Sequence, residues 1–195
     1  ERRKKPDMIM AGVEYYHISV MDEAVPGFAL PEDIKSLLKR LPDDPEKYIK
    51  KKYEEACKDQ FVVKQYARFI DVIYRNEAGA VLWHCGSGKD RTGLGTALLL
   101  LLLGAEEETI MQDYMRTNEY LAGELQYMQR LAQTWEDIPR GADRKLAALY
   151  QVKEEYLETA FMTIKKEYGT QERFFRNGLY LKPKMISELK DKYLI

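Results

Sequence analysis

The feature that most limits what this chain can fold into is a ten-residue turn, HCGSGKDRTG, at residues 84–93. An apolar run, AVLW, leads into the turn, and a longer apolar run at 94–103 follows it. The first run predicts a buried strand over Ala80–Cys85, and the second predicts a buried helix that starts near Thr92. A strand, loop and helix in this order gather loop N–H groups and the positive end of a helix around one point. The turn therefore predicts a binding site for an anion the size of phosphate.

The rest of the pattern predicts an α/β fold, with a small central sheet flanked by helices. Val13–Val20 has the β-branched and aromatic residues of a second strand. Apolar spacing of three and four predicts helices over 61–74, 106–133 and 143–168, the last ending before Gly169, and a short helix after Pro183. Two strands are too few for a buried sheet, so further strands are expected to precede Glu1. One domain over residues 1–195 is expected, incomplete at its N-terminus.

Composition excludes several classes of function. Lys and Arg total 31 against 32 Asp and Glu, so bulk charge favours neither a nucleic-acid nor a membrane surface. Cys57 and Cys85, with two histidines in the whole chain, offer no zinc-ligand spacing, and no metal site is expected. The run 94–103 is far shorter than the roughly 20 residues of a membrane-spanning helix. No signal peptide is visible, and localisation stays open.

The residue types in the turn point to nucleophilic chemistry. Cys85 lies where the helix end, the loop amides and Arg91 all favour thiolate, and the planar fork of Arg91 can hold two phosphate oxygens. The predicted phosphate cradle comprises Gly86, Ser87, Gly88, Lys89, Asp90 and Arg91. A nucleotide-binding P-loop is excluded because Trp83 and Asp90 stand where it requires Gly and Ser or Thr. The remaining alternative is an inert buried cysteine, which would leave three consecutive charged residues unexplained.

His84-Cys85, five residues, then Arg91-Thr92 resembles the signature loop of the cysteine-dependent protein tyrosine phosphatase superfamily. The form HCGSGKDRTG is similar to its branch of bacterial tyrosine and dual-specificity phosphatases, and the resemblance extends to YYHISVMD, DYMRTN and EEYLETAFMTIKKEYGT. It implies hydrolysis of phosphomonoesters without metal or cofactor, through a thiophosphate on Cys85. The implied substrates are phosphorylated proteins or phosphoinositides, with phosphate as product or inhibitor. The alternative is a phosphate-binding module with little or no turnover.

The resemblance also implies roles for individual residues. Thr92 would hydrogen-bond the Cys85 sulfur, although a helix N-cap is an equally good interpretation, and His84 would brace the loop. The general acid is either Asp90, within the loop, or Asp22, on the turn after the first predicted strand. Lys89 would bind a second phosphate of an inositol head group, or else is a solvated loop lysine.

The charged segment 46–59 allows two interpretations. It has the pattern of a solvated helix face. In the family that the turn resembles, such helical insertions can also cover the active site as a lid.

Overall fold

A computed structural model describes residues 7–20 and 34–194, and these residues form a helical structure. Numbered in chain order, the helices are α1 Ile34–Arg40, α2 Pro45–Lys58, α3 Gln60–Arg75, α4 Asp90–Leu103, α5 Glu107–Met115, α6 Thr117–Ala132, α7 Ala142–Tyr150, α8 Glu154–Tyr168, α9 Gln171–Arg173 and α10 Pro183–Tyr193. A π-helical turn, Phe174–Gly178, follows α9 directly. Within the described ranges, no helix has the length and apolar character needed to cross a membrane.

The predicted α/β fold with a central sheet is wrong for the part of the chain that the structure describes, which contains no strand. The two predicted strands, Val13–Val20 and Ala80–Cys85, have no regular secondary structure. Leu82, expected to be buried, is 88% exposed. The physical reason is that a strand exists only through hydrogen bonds to a neighbouring strand. β-branched and aromatic composition predicts an extended backbone, but it does not provide the partner.

Several helix predictions are confirmed. The helix expected over 61–74 is α3, and the Asp59 carboxylate caps it by accepting a hydrogen bond from the Val62 backbone N–H at 3.0 Å. The buried run 94–103 lies within α4, which begins two residues before the predicted start at Thr92. Helix α10 begins at Pro183, and α8 ends at the residue before Gly169. The helical stretch predicted over 106–133 is divided into α5 and α6 at Arg116.

The single long helix predicted over 143–168 is wrong, because the chain leaves the helical conformation between α7 and α8. At the break, the Asn118 side chain donates to the Val152 carbonyl at 3.0 Å and accepts from the Val152 N–H at 2.8 Å. The Lys89 ammonium donates to the Gln151 carbonyl at 3.1 Å. No Gly or Pro marks the break, so only these distant side chains specify it.

The helices enclose two hydrophobic cores. The larger core lies mainly among α2, α3, α4, α8 and the residues around the π-helical turn. The smaller core, formed by α1, α6 and α7, buries Leu37, Leu38, Leu41, Leu125, Met128, Ala132, Ala142 and Leu146. Burial of these apolar side chains is the main stabilising contribution in both. Segment 46–59 contributes α2, which exposes its charged face and buries Tyr53 and Cys57 in the larger core.

Candidate active site

The glycine-rich turn places its residues at the N-terminus of α4. Residues 86–89 form a bend, and the first helical hydrogen bond runs from the Gly93 N–H to the Lys89 carbonyl at 2.8 Å. Gly88 has a φ of +64°, a conformation that side chains of L-residues rarely adopt. At Gly93, a Cβ atom would lie 3.0 Å from the Tyr114 ring, so α4 and α5 approach closely only because this residue is glycine.

The segment before the turn is fastened to α4 by Trp83. Its indole N–H donates to the Thr96 hydroxyl at 3.1 Å, and that hydroxyl donates to the Thr92 carbonyl at 2.9 Å. The Trp83 ring also packs edge-on against Phe69 of α3, with ring centroids 5.5 Å apart. These contacts hold Cys85 next to the helix end without any strand pairing among the described residues.

The Cys85 thiol is half-buried, and the balance of its surroundings lowers its pKa. Burial alone acts in the opposite direction and is the largest single influence. It is outweighed by the Thr92 hydroxyl, the charge of Arg91, and the backbone N–H groups of Thr92 and Ser87. Each of these groups stabilises the thiolate, which is the nucleophilic form of cysteine.

Cys57 shows what burial does when such groups are absent. Its side chain is fully buried in α2, and burial raises the pKa of its thiol to about 12. The two free cysteines of the described residues therefore differ in chemistry, and only Cys85 is placed to act as a nucleophile.

Thr92 is not a helix cap, because Lys89 occupies the N-cap position and Thr92 lies in the first turn of α4. Its hydroxyl is buried and has no hydrogen-bond partner of ordinary geometry within residues 7–20 and 34–194. The same hydroxyl lowers the pKa of Cys85. The Cys85 sulfur is a weak acceptor that becomes a strong one when the thiol ionises. The Thr92 hydroxyl is therefore placed to stabilise the Cys85 thiolate.

Asp90, the first residue of α4, has a donor close to each carboxylate oxygen. The Tyr53 hydroxyl donates to Oδ1 at 3.1 Å, and the Lys89 ammonium lies 3.3 Å from Oδ2. The Asp90 side chain is 11% exposed. Tyr114 completes the arrangement, since its hydroxyl oxygen lies 2.7 Å from that of Tyr53.

Lys89 is neither solvated nor directed outward. Its side chain is buried, and its ammonium donates to the carbonyls of Ala148 at 2.8 Å and Gln151 at 3.1 Å, at the C-terminal end of α7. This position does not support the predicted contact with a second phosphate.

The remaining predicted residues occupy different environments. His84 is exposed, with Nδ1 3.2 Å from the Cys85 carbonyl and Nε2 3.5 Å from Asp7. Arg91 is half-buried, and its carbonyl accepts a hydrogen bond from the buried Tyr66 hydroxyl at 3.2 Å. Asp22, the other candidate acid, lies outside the described residues.

A cavity of about 180 Å³ adjoins the turn. It shares Gly88 and Thr92 with the loop and is otherwise lined by residues of α4, α5 and α6, among them Asp113 and Tyr120. Within the described ranges, no three His, Cys, Asp or Glu side chains are grouped so that they could hold a metal ion.

Sequence reasoning missed the tyrosines that surround Asp90. Tyr53 and Tyr114 are separated from the turn by more than 20 residues in the chain, and the sequence holds 14 tyrosines without a pattern that singles these out. The one feature of this arrangement that the sequence shows is Gly93, whose lack of a side chain allows the Tyr114 ring to approach closely.

A cysteine with a lowered pKa, an arginine and a helix N-terminus are together the features of a candidate cysteine-based site for an anionic group. Residues 1–195 match the family model described as the tyrosine phosphatase family. The chain belongs to this family, which confirms the resemblance found in the turn.

Individual relatives agree with this assignment. The triple specificity protein phosphatase PtpB of Mycobacterium tuberculosis is 33% identical over 111 residues, which cover 50% of this chain and 38% of the relative. A tyrosine-protein phosphatase of Nostoc commune is 40% identical over 60 residues, 31% of this chain and 20% of the relative. A Cupriavidus necator relative is 28% identical over 135 residues, 69% of this chain and 47% of the relative. The chain thus matches less than half the length of each.

Proposed function

We propose that residues 1–195 act as one phosphatase domain that hydrolyses phosphomonoesters of phosphotyrosine proteins, with Cys85 as the nucleophile. The observation that carries the proposal is the lowered pKa of the Cys85 thiol at the N-terminus of α4, beside Thr92 and Arg91. Membership of the tyrosine phosphatase family and the similarity to the Mycobacterium and Nostoc phosphatases support the same activity.

The proposed reaction has two steps. The Cys85 thiolate forms a bond to phosphorus while the bond from phosphorus to the leaving oxygen breaks, and that oxygen takes a proton from an acid. Water then attacks phosphorus and gives a proton back to the acid, the sulfur–phosphorus bond breaks, phosphate leaves, and the thiolate returns with Thr92 available to stabilise it. The charge on phosphorus is met by loop N–H groups and by Arg91.

Asp90 is the proposed acid. It belongs to the loop itself, and its carboxyl group is partly exposed. The Tyr53 hydroxyl lies next to one carboxyl oxygen and the Lys89 ammonium next to the other. Asp22 remains the alternative. Replacement of the true acid by Asn should slow hydrolysis of alkyl phosphates strongly and of an aryl phosphate with a good leaving group much less, because only the alkoxide needs the proton.

The phosphoinositide substrates implied by the resemblance remain a prediction. Lys89 was the residue expected to favour them, and its ammonium is engaged with the end of α7. A panel of phosphotyrosine peptides, phosphoserine peptides and phosphoinositides, run with and without chelator, distinguishes these classes. A preference for the lipid would have to come from other residues.

The decisive experiment compares Cys85→Ser with Cys57→Ala. Rapid acid quench with ³²P-labelled substrate should trap a labelled protein in the parent chain and in Cys57→Ala, but not in Cys85→Ser, whose hydroxyl is far harder to ionise. Phosphate binding without turnover in the parent chain would favour the phosphate-binding module. Turnover by Cys85→Ser above a few per cent would exclude the cysteine mechanism.

A further inference from the structure

Three buried tyrosines from three helices surround Asp90. Tyr53 of α2 donates its hydroxyl to Asp90 Oδ1 at 3.1 Å, and Tyr114 of α5 lies 2.7 Å from the Tyr53 oxygen. Tyr156 of α8 packs its ring against that of Tyr53, with centroids 5.8 Å apart. All three rings are at most 3% exposed. Tyr53 thus connects the other two tyrosines to the first residue of α4.

A count of protons sets the direction of the hydrogen bonds. A tyrosine hydroxyl has one proton to donate and can also accept. When Tyr53 donates to the Asp90 carboxylate, the short contact between the two tyrosines requires Tyr114 to donate to Tyr53. The chain of hydrogen bonds then runs from Tyr114 through Tyr53 to Asp90, and each bond polarises the next.

The same hydrogen bond fits the protonated state of Asp90. With the proton on Oδ2, Oδ1 is a carbonyl oxygen that still accepts from the Tyr53 hydroxyl. The carboxyl group keeps its position and this hydrogen bond, and the proton on Oδ2 stays available to the leaving oxygen. A general acid needs this property, because it alternates between the two protonation states in each catalytic cycle.

The tyrosines near Asp90 stay neutral at ordinary pH. Burial is the main cause that raises the pKa values of Tyr53, Tyr114 and Tyr156. The negative charge of Asp90 raises them further, after that of Glu46 in the case of Tyr156, and these phenols therefore stay protonated. Burial is also the main cause that raises the pKa of Tyr66 in α3, and the charge of Asp90 is one of the smaller causes. The Lys89 ammonium lies 3.3 Å from Oδ2, and the charged Arg91 and the Cys85 thiolate belong to the same turn as Asp90.

Tyr156 provides a built-in control. Its ring is completely buried next to Tyr53, but its hydroxyl has no hydrogen-bond partner in the described part of the chain. Loss of that hydroxyl removes no hydrogen bond, whereas loss of the Tyr53 hydroxyl removes the bond to Asp90. Tyr53→Phe and Tyr156→Phe therefore remove the same hydroxyl group from a buried ring, but only Tyr53→Phe removes a hydrogen bond to Asp90.

We propose that Tyr53, with Tyr114 behind it, is a positioning residue that holds the Asp90 carboxyl group in both protonation states during phosphate transfer. This inference rests on the proposed function, in which Asp90 is the general acid. Tyr53 touches neither the sulfur nor, in this proposal, the substrate. It acts through Asp90.

The test compares Tyr53→Phe, Tyr114→Phe and Tyr156→Phe in pH profiles of kcat on an alkyl and an aryl phosphate. Loss of the Tyr53 donor makes the Asp90 carboxylate less stable relative to the protonated carboxyl group, which moves the alkaline limb of the alkyl profile to higher pH. The expected shift is about one to two pH units, the size of one charge-assisted hydrogen bond. Tyr114→Phe should give a smaller shift in the same direction, and Tyr156→Phe should give none.

Each outcome is made interpretable by Asp90→Asn. When Asp90 is the acid, Asp90→Asn removes the alkaline limb, and Tyr53→Phe added to it produces no further shift. An unshifted limb in both Tyr53→Phe and Tyr114→Phe, with the limb still dependent on Asp90, would overturn the positioning role alone. A limb that survives in Asp90→Asn would overturn the acid assignment and the positioning role with it, while the trapped intermediate on Cys85 still tests the nucleophile.

A purely structural role gives a different result. Lower kcat of Tyr53→Phe by the same factor on both substrates at every pH, without a shifted limb, would contradict the proposal. Should Tyr53→Phe fail to fold, as judged by circular dichroism, the shift in Tyr114→Phe relative to Tyr156→Phe decides the question.

Discussion

Lys89 and Lys145 are two buried lysines in different parts of the molecule, with 2% and 6% exposure. Each directs its ammonium at the carbonyls where a helix ends. Lys89, from the glycine-rich turn, donates to the end of α7, and Lys145, from α7, donates to the Leu38 and Leu41 carbonyls at 3.1 and 2.8 Å, at the end of α1. Both supply positive charge and hydrogen bonds to carbonyls that a helix leaves unpaired.

The two lysines differ in the carboxylate beside them. Asp90, next to Lys89, lies 3.3 Å away with an 11% exposed side chain, whereas Asp43, next to Lys145, lies 4.0 Å away and is fully exposed. Water screens the second pair and largely not the first. The contact of Lys145 with the end of α1 therefore stabilises only the fold. The contact of Lys89 with the end of α7 also connects the fold to Asp90, a residue of the candidate site.

Lys89→Met should have the largest effect, because it leaves Asp90 and two carbonyls without their ammonium. We expect a loss of about 3–5 kcal/mol in the free energy of unfolding, as for one partner removed from a buried pair. Activity per folded molecule should fall by about 100-fold as the loop loses its anchor. Urea unfolding followed by circular dichroism, with rates on p-nitrophenyl phosphate, measures both. Full activity in the folded fraction would contradict the claim that Lys89 supports the candidate site.

Lys145→Met should cost stability without costing activity. Two buried carbonyls lose their donor, for which we expect about 1–3 kcal/mol in the free energy of unfolding. The rate per folded molecule should equal that of the parent chain, since the Lys145 ammonium binds the end of α1 and lies near the exposed Asp43. A loss of activity comparable to that of Lys89→Met would show that the two lysines do not differ in function.

Double-mutant cycles should separate the two pairs further. We expect a coupling of about 1 kcal/mol or more between Lys89→Met and Asp90→Asn, because neighbouring buried charges do not act independently. Between Lys145→Met and Asp43→Asn the coupling should be below about 0.5 kcal/mol. Unfolding free energies of the single and double variants give both values. Equal coupling in the two cycles would contradict the role assigned to burial.

Lys192→Met should have the smallest effect. Lys192 also donates to the end of a helix, at the Ile73 carbonyl of α3 at 3.1 Å and at Asn76, but its side chain is exposed. Water can replace its hydrogen bonds, so we expect a change within about 0.5 kcal/mol in the free energy of unfolding. A cost as large as that of Lys145→Met would mean that exposure does not set the size of these contributions.

Local patterns in the sequence were enough to predict a candidate site and to locate several helices. The turn at 84–93 indicated an activated cysteine, and the lowered pKa of Cys85 agrees with that expectation. Helices α3, α4 and α10 followed from apolar spacing and from Pro183. These features depend on residues within one or two turns of each other, which is the range over which spacing, capping and helix-end charge act.

Contacts between distant residues decided the rest. The tyrosines behind Asp90, the burial of Lys89 and the break between α7 and α8 all join residues more than 30 positions apart. The strand predictions failed for a related reason, since an extended segment becomes a strand only where a partner backbone pairs with it. The sequence by itself determined which residue types meet at the turn. The tertiary structure decided which distant donors and acceptors satisfy them, because a buried polar group must find its partner wherever the fold brings one within hydrogen-bond distance.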